Sequence, residues 1–211
     1  MRRERGRFAI EVDGQAGLTL SEDVLSRSGL RPGDALDEAS LADLIAGDEV
    51  ARATESALTF LSYRPRSERE VRDRLRRAGY GQQAIDQVVS KLYEWRYLDD
   101  ADFARRWVEG RTTQRPRGNR LLQQELRQKG IDAETARDVI AEADLDEAAA
   151  AETLARRRLA TYAGQDPAAI RRRLGAYLAR RGYGYDIVRL ALDAAMGEPD
   201  DETEAAADPP D

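Results

Sequence analysis

The chain has 211 residues, 35% of them charged and 6% aromatic, a formal net charge of −6, and neither histidine nor cysteine. Lack of cysteine excludes disulfides, thiolate metal sites and a cysteine nucleophile, and lack of histidine removes the commonest general base and metal ligand. The overall charge hides a division: residues 1–50 carry −5, residues 51–196 carry +6 and the last fifteen carry −7, so a basic body lies between two acidic ends. No stretch approaches the roughly 18–20 apolar residues needed to span a bilayer, and the opening Met1-Arg2-Arg3-Glu4-Arg5 precedes no long apolar run. The expectation is a soluble cytoplasmic protein without cofactor, metal or membrane partner.

Residues 7–20 read as a short β-hairpin, with partial alternation in Arg7-Phe8-Ala9-Ile10-Glu11-Val12, a turn at Asp13-Gly14 and a return through Leu18-Thr19-Leu20. Ser21 followed by Glu22-Asp23 predicts a helix start, Ser28-Gly29 its end, and Arg31-Pro32-Gly33-Asp34 a loop. A further short helix is expected at 39–45, completing a small α+β cap over residues 1–50. From Asp48 the pattern is helical: a helix to about Ser62, then the loop Tyr63-Arg64-Pro65-Arg66, then the capping box Ser67-Glu68-Arg69-Glu70 opening a helix that ends at Gly79. Residues 82–95 carry Ile85, Val88, Val89 and Leu92 at i, i+3, i+4 and i+7.

The same plan recurs twice. A helix over 102–113 bears Phe103 and Trp107, and the loop Arg115-Pro116-Arg117-Gly118 leads to the helix of Leu122 and Leu126, capped by Gly118 or Asn119. A helix follows over 133–143. The third unit reads as 147–161, then Asp166-Pro167 as N-cap and first helical position, a helix to Arg181, and a last helix over 185–195. Gly79, Gly130 and Gly182 mark the period, each preceded four residues earlier by a leucine (Leu75, Leu126, Leu178) and eight residues earlier by Val71, Leu122 or Leu174. Such a period signals stacked units too small to bury their apolar stripes alone. The fold class expected is mainly α: a cap at 1–50, three-helix repeats at 51–98, 99–144 and 145–196 forming a curved elongated array, and a disordered acidic tail at 197–211. Polar outer faces on the terminal units are consistent with a monomer.

No enzyme motif survives inspection. Gly79-Tyr80-Gly81 lies between helices, Ser67 has no base and serves as a cap, and Asp99, Asp100 and Asp102 stand at a helix start, where capping accounts for them better than a metal does. Arginine placement is more informative. The second helix of each unit has its core positions filled by leucine or valine and its other positions rich in cations: Arg69, Arg72, Arg76 and Arg77; Arg120, Arg127 and Lys129; Arg171, Arg172, Arg173, Arg180 and Arg181. Any one of these could be a solvated helix face with i,i+4 pairing such as Glu68–Arg72. Their recurrence suggests a basic track suited to a phosphate backbone or an acidic protein groove. Tyr63, Arg64 and Arg66, with Arg115 and Arg117, form a second candidate set on proline-stiffened loops, and Arg105, Arg106 and Arg111 fall nearby. Tyr80, Tyr93, Trp95, Tyr97 and Trp107 are read as packing residues rather than base-stacking platforms.

Leu61-Ser62-Tyr63-Arg64-Pro65-Arg66-Ser67-Glu68-Arg69-Glu70, Leu75-Arg76-Arg77-Ala78-Gly79-Tyr80 and Tyr97-Leu98-Asp99-Asp100-Ala101-Asp102-Phe103-Ala104 resemble motifs of the RecX family of bacterial recombinase regulators. Arg115-Pro116-Arg117-Gly118 and Leu126-Arg127-Gln128-Lys129-Gly130-Ile131 continue the resemblance, which is motif-level over about 57–131 and architectural to about 196. It implies three tandem three-helix repeats that bind the nucleoprotein filament of the RecA recombinase, lodge in its groove and limit its ATP hydrolysis, strand exchange and coprotease activity. It further implies single- or double-stranded DNA as a partner and a role in homologous recombination, DNA repair and the SOS response. The rival reading is a helical-repeat protein that binds DNA itself and affects the recombinase only by competing for the strand. A scaffold for an unrelated protein is the third.

Overall fold

In the computed structural model, residues 2–4, 7–12, 15–114, 116–162 and 164–197 are described. The expected Asp13-Gly14 turn and the acidic tail beyond Gly197 lie outside them. Two compact units make up the chain, residues 1–100 and 101–211.

The first unit opens with a three-stranded antiparallel sheet, β1 (Arg2–Glu4), β2 (Arg7–Val12) and β3 (Gln15–Ser21), in that order. The expected hairpin is therefore β2–β3, with one more strand added on its outer edge. Phe8 lies opposite Leu20, and the register slips between Ala9 and Glu11. Ile10 and Leu20 turn inward against Leu44. Helix α1 (Glu22–Ser28) is capped by the Ser21 hydroxyl, which accepts from Val24 N, and stops at Gly29 with φ 67°.

Helix α2 (Glu38–Ser62) corrects one expectation: the short helix at 39–45 and the helix of the first repeat are a single 25-residue element. Gly47 lies inside it, and an isolated glycine costs a helix only ~1 kcal/mol without breaking it. Asp48, expected near a helix start, is instead buried in mid-helix and 4% exposed. Its carboxylate accepts from Ser21 N at 2.9 Å and from Arg7 Nη2 at 2.7 Å, and it is ion-paired with Arg52 Nε at 2.9 Å. A buried carboxylate is tolerated only with such donors around it, and here they fasten the sheet to α2.

Helices α3 (Glu68–Arg77) and α4 (Gln82–Glu94) complete the first repeat around Val71, Leu75, Ile85, Val88 and Leu92, each fully buried. The Ser67 hydroxyl caps α3 by accepting from Glu70 N at 3.3 Å, and the Asp100 carboxylate takes the Glu68 amide at 2.9 Å. In the second unit, α5 (Asp100–Gln114, beginning at the last residue of the first unit), α6 (Asn119–Gln128) and α7 (Ala133–Glu142) enclose Phe103, Val108, Leu122, Leu126 and Ile140. The third repeat is α8 (Glu147–Leu159) with a 3₁₀ turn at Ala160–Tyr162, α9 (Pro167–Arg180) and α10 (Tyr185–Met196), packed around Ala151, Ala155, Leu174, Leu178 and Leu192.

One turn is built three times. Gly79, Gly130 and Gly182 have φ of 89°, 90° and 89°. At each, the amide of the following residue reaches back to the leucine carbonyl at the end of the helix: Tyr80 to Leu75 (3.3 Å), Ile131 to Leu126 (3.0 Å) and Tyr183 to Leu178 (3.3 Å). The glycine amides bond to Arg76, Arg127 and Ala179 carbonyls. These are Schellman caps, whose left-handed residue carries a penalty for any side chain.

In the second unit this turn also makes a joint between repeats. Gly118 N donates to Arg181 O at 2.9 Å, and a Cβ on Gly118 would lie 2.4 Å from the Gly182 carbonyl carbon. A Cβ on Gly182 would lie 2.3 Å from Leu121 Cβ. Backbone therefore touches backbone, which explains why α6 has glycine at its N-cap and no capping side chain. The first amide of α6, Asn119 N, is satisfied instead by Glu147 Oε1 at 2.8 Å.

The two glycines should respond differently to substitution. Gly79 has open space around its absent Cβ, so Gly79→Ala should cost about 1–2 kcal/mol, the left-handed penalty alone. Gly182→Ala adds overlap with Leu121 and should cost several times as much, both read as the shift in a urea unfolding curve. The Tyr183 hydroxyl is buried without a hydrogen-bond partner, so Tyr183→Phe should leave stability at pH 7 within about 1 kcal/mol of the parent. Burial, then the Glu147 charge, pushes this phenol from 10.0 up to about 12. Its neutral form belongs to the fold, so the contribution is intact below pH 10 and lost as pH rises towards 12; Tyr183→Phe should flatten that alkaline decline in the melting temperature.

Candidate partner-binding surface

The arginines divide into three groups by what they touch. The first is committed to carboxylates. Arg64, on the first proline loop, donates to Glu70 at 3.1 and 3.3 Å. Arg72 is held by Glu68 on α3 and by Asp86 on α4, both pairs at 2.5 Å, which raises its pKa against the opposing effect of burial. Arg76 pairs with Asp73 at 2.9 Å, Arg106 with Asp102 at 2.7 Å and Arg171 with Asp193 at 2.6 Å, while Arg69 reaches Asp73 only loosely at 3.9 Å. Glu125 gathers the second loop: it pairs with Arg117, receives Arg111 at 3.2 Å and accepts from Trp107 Nε1 at 2.9 Å.

The second group lies on aromatic rings. Arg66 sits 4.0 Å above the Phe60 ring with its Nε buried and unpartnered, and burial beside Arg64 lowers its pKa. Arg111 and Lys129 cover the Trp107 ring at 4.2 and 4.9 Å, and Arg181 lies 5.1 Å from the Tyr177 ring while its Nη1 reaches Pro116 O at 3.4 Å. These contacts hold cations against the apolar body. Three of the four loop arginines thus brace their own repeat, and the fourth, Arg115, lies outside the described residues. Arg173 donates to the Gln165 side chain.

The third group is exposed and has no carboxylate partner among the described residues: Arg77, Arg105, Arg120, Arg127, Arg172 and Arg180. Counting back from the turn glycines, Arg69, Arg120 and Arg172 occupy one position, ten residues before, and all three are exposed. Arg76 and Arg127 share the position three residues before, two helical turns along the same face. Arg157 and Arg189 are also exposed cations, on α8 and α10, that the second-helix pattern does not reach.

The aromatic reading needs correction. Tyr80 and Trp107 pack against their cores as expected, but Tyr93, Trp95 and Tyr97 are 38%, 49% and 57% exposed. They follow Leu92, the last inward position of α4, so the helical stripe no longer governs where they point. Tyr63 is 78% exposed. Tyr93 is anchored by donating to Glu68 at 2.8 Å. Arg96, between the two most exposed of these rings, takes φ 58°.

Of the acidic positions at 99–102, Asp100 takes the first amide of α3, a helix other than the one it opens, and Asp102 pairs with Arg106. Among the described residues no cluster of three or more His, Cys, Asp or Glu could hold a metal, and no helix is long and apolar enough to cross a membrane.

Models of the first, second and third three-helix domains of RecX match residues 53–92, 99–140 and 145–192. The chain is 34% identical over 205 residues to the regulatory protein RecX of Bacillus velezensis, covering 95% of this chain and 77% of that protein. It is 31% identical over 202 residues to the regulatory protein RecX of Bacillus subtilis, covering 95% and 77%. A crystal structure of a regulatory protein RecX superposes with a TM-score of 0.77 at 25% identity, over 91% of this chain and 95% of that one. Three consecutive domain matches, relatives aligned over 95% of this chain and a shared fold agree: the chain belongs to the RecX family, a family of regulatory proteins rather than enzymes.

Proposed function

We propose that this protein binds RecA nucleoprotein filaments and lowers their ATP hydrolysis, strand exchange and coprotease activity, with the exposed arginines of the second helices as its contacts. The observation that carries this reading is the threefold recurrence of an exposed arginine, Arg69, Arg120 and Arg172, at one position of a repeated helix in a RecX family chain. A cation that recurs with the repeat meets a partner that also repeats, and a recombinase filament has that property. Arg127 extends the same face by two turns, and Arg77 and Arg180 share the position two residues before the turn glycine. The repeats are taken as 51–98, 99–144 and 145–196, acting as a monomer in the cytoplasm.

The second reading, direct competition for DNA, is favoured by arginines standing beside exposed tyrosines, as Tyr63 does near Arg74. Salt separates the two. Binding to bare single strands by neutralising phosphates falls with a log–log slope near −0.7 per contact, whereas a preformed filament held partly by protein contacts shows a shallower slope.

Added to RecA on single-stranded DNA, the protein should reduce ATP hydrolysis; an unchanged rate at saturating protein sinks the proposal. Arg69→Glu, Arg127→Glu and Arg172→Glu combined should raise the half-inhibitory concentration at least about tenfold, the equivalent of about 1.4 kcal/mol, without moving the thermal melt. Arg117→Glu should behave differently, lowering the melting temperature because it sets a second carboxylate against Glu125, whose side chain is 13% exposed.

A further inference from the structure

Repeats one and three differ at one place, and the difference opens a cleft. In the first repeat Arg72 of α3 reaches across to Asp86 of α4. Counted from the turn glycines, the third repeat has Gly175 where the first has Arg72, and Arg189 where the first has Asp86. The bridging side chain is gone and the acid has become a base. A cavity of about 440 Å³ lies between α9 and α10 at this point, within the range of small-ligand sites.

Its chemistry follows from two helix faces. Gly175, Ala176 and Ala179 of α9 form a floor of small residues, and Tyr185, Val188, Arg189 and Leu192 of α10 fall at i, i+3, i+4 and i+7 to form a wall. Arg171 stands at one end, tied to Asp193. Arg120 enters from the second repeat and lies flat against Gly184, its guanidinium 3.6–3.8 Å from where a Cβ would be. No carboxylate lines the cleft, Arg120 and Arg189 have no acidic partner among the described residues, and Tyr185 is 74% exposed. Gly184 caps α10 without any side-chain bond, so no side chain occupies the first amides of that helix.

We infer that this cleft binds one nucleotide of a single-stranded nucleic acid, its base lying on the small-residue floor against Tyr185 and its phosphate between Arg120 and Arg189. This deepens the filament reading by naming a nucleic-acid contact, and to Arg120 it adds Tyr185 and Arg189 of α10, which the second-helix pattern alone does not reach. The complementarity is specific in kind: an apolar floor of small residues for a planar base, an exposed ring to stack on it, and unpaired guanidinia for the flanking phosphate.

The test is fluorescence anisotropy of a labelled oligo(dT) strand with the full chain, read alongside inhibition of RecA ATP hydrolysis. Tyr185→Ala and Arg189→Ala should each weaken oligo(dT) binding about tenfold, within the usual range for a lost base stack or phosphate contact. Tyr185→Trp should retain affinity, because any flat ring can stack. Only Arg189→Ala should reduce the magnitude of the log–log salt slope, by about 0.7. Gly175→Gln, which installs the residue that the second repeat carries at this place (Gln123), should fill the cleft and abolish the contact; the Gly175 Cβ itself would meet only Leu192 and Val188 at ordinary distances, so the fold tolerates it. Unchanged oligo(dT) affinity in both Tyr185→Ala and Gly175→Gln overturns the inference. So does displacement of the strand by free dTMP or by polyglutamate as readily as by unlabelled oligo(dT), since these would mark a free-nucleotide or acidic-peptide site. If the parent protein leaves RecA ATP hydrolysis unchanged, the filament reading fails while the oligo(dT) comparison still decides the cleft.

Discussion

Everything in the repeat depends on a left-handed residue between its second and third helices. The turn must reverse the chain tightly enough for Leu75, Leu126 or Leu178 to stay in the core while its carbonyl is satisfied by the amide of the second residue past the cap. Only a positive φ permits that geometry, and glycine adopts it without a Cβ penalty. The same carbonyl bond carries an apolar residue, Tyr80, Ile131 or Tyr183, back over its leucine, so cap and core form together. At Gly182 the missing side chain has a second use, since it lets the backbone of Gly118 come into direct hydrogen-bonding contact. One residue type thus sets both the internal angle of a repeat and the joint between two of them.

Charge on this framework is far less available than its abundance suggests. An exposed ion pair contributes little stability, but it does neutralise the field that a partner would meet. Arg64, Arg72, Arg76, Arg106, Arg111, Arg117 and Arg171 are each engaged by a nearby carboxylate. What remains outward and unpaired is a smaller set, repeated with the helices. The proline loops, with their high density of arginine, serve mainly to fasten each repeat: Arg64 to Glu70, Arg66 to Phe60, Arg117 to Glu125. The second helices and the opened cleft of the third repeat carry most of the free cations, with Arg105 on α5 and Arg157 on α8 outside them.

Much of the fold was legible because its rules are local. The helix after Ser67 was readable from a hydroxyl followed by acids, the one after Asp166 from a cap followed by proline, and the repeat itself from three glycines and their leucines. Elsewhere local rules misled. Nothing near Asp48 signals that α2 passes through it unbroken, since the donors that make its burial possible come from Arg7 and the Ser21 amide, far away in sequence. Tyr93, Trp95 and Tyr97 carry the composition of a core and stand in solvent, because they fall past the last inward turn of α4.

The repeat, the left-handed turns, the helix caps and the motifs that mark the family are written locally, each in residues within a few positions of one another. Which arginines are free and where a cleft opens follow only from how the helices pack. Pairing Arg72 with Asp86, Arg117 with Glu125, or Arg120 with the start of α10 requires helices to be packed at fixed distances. A charge is neutralised by what lies within a few ångströms, and sequence spacing does not specify that neighbour.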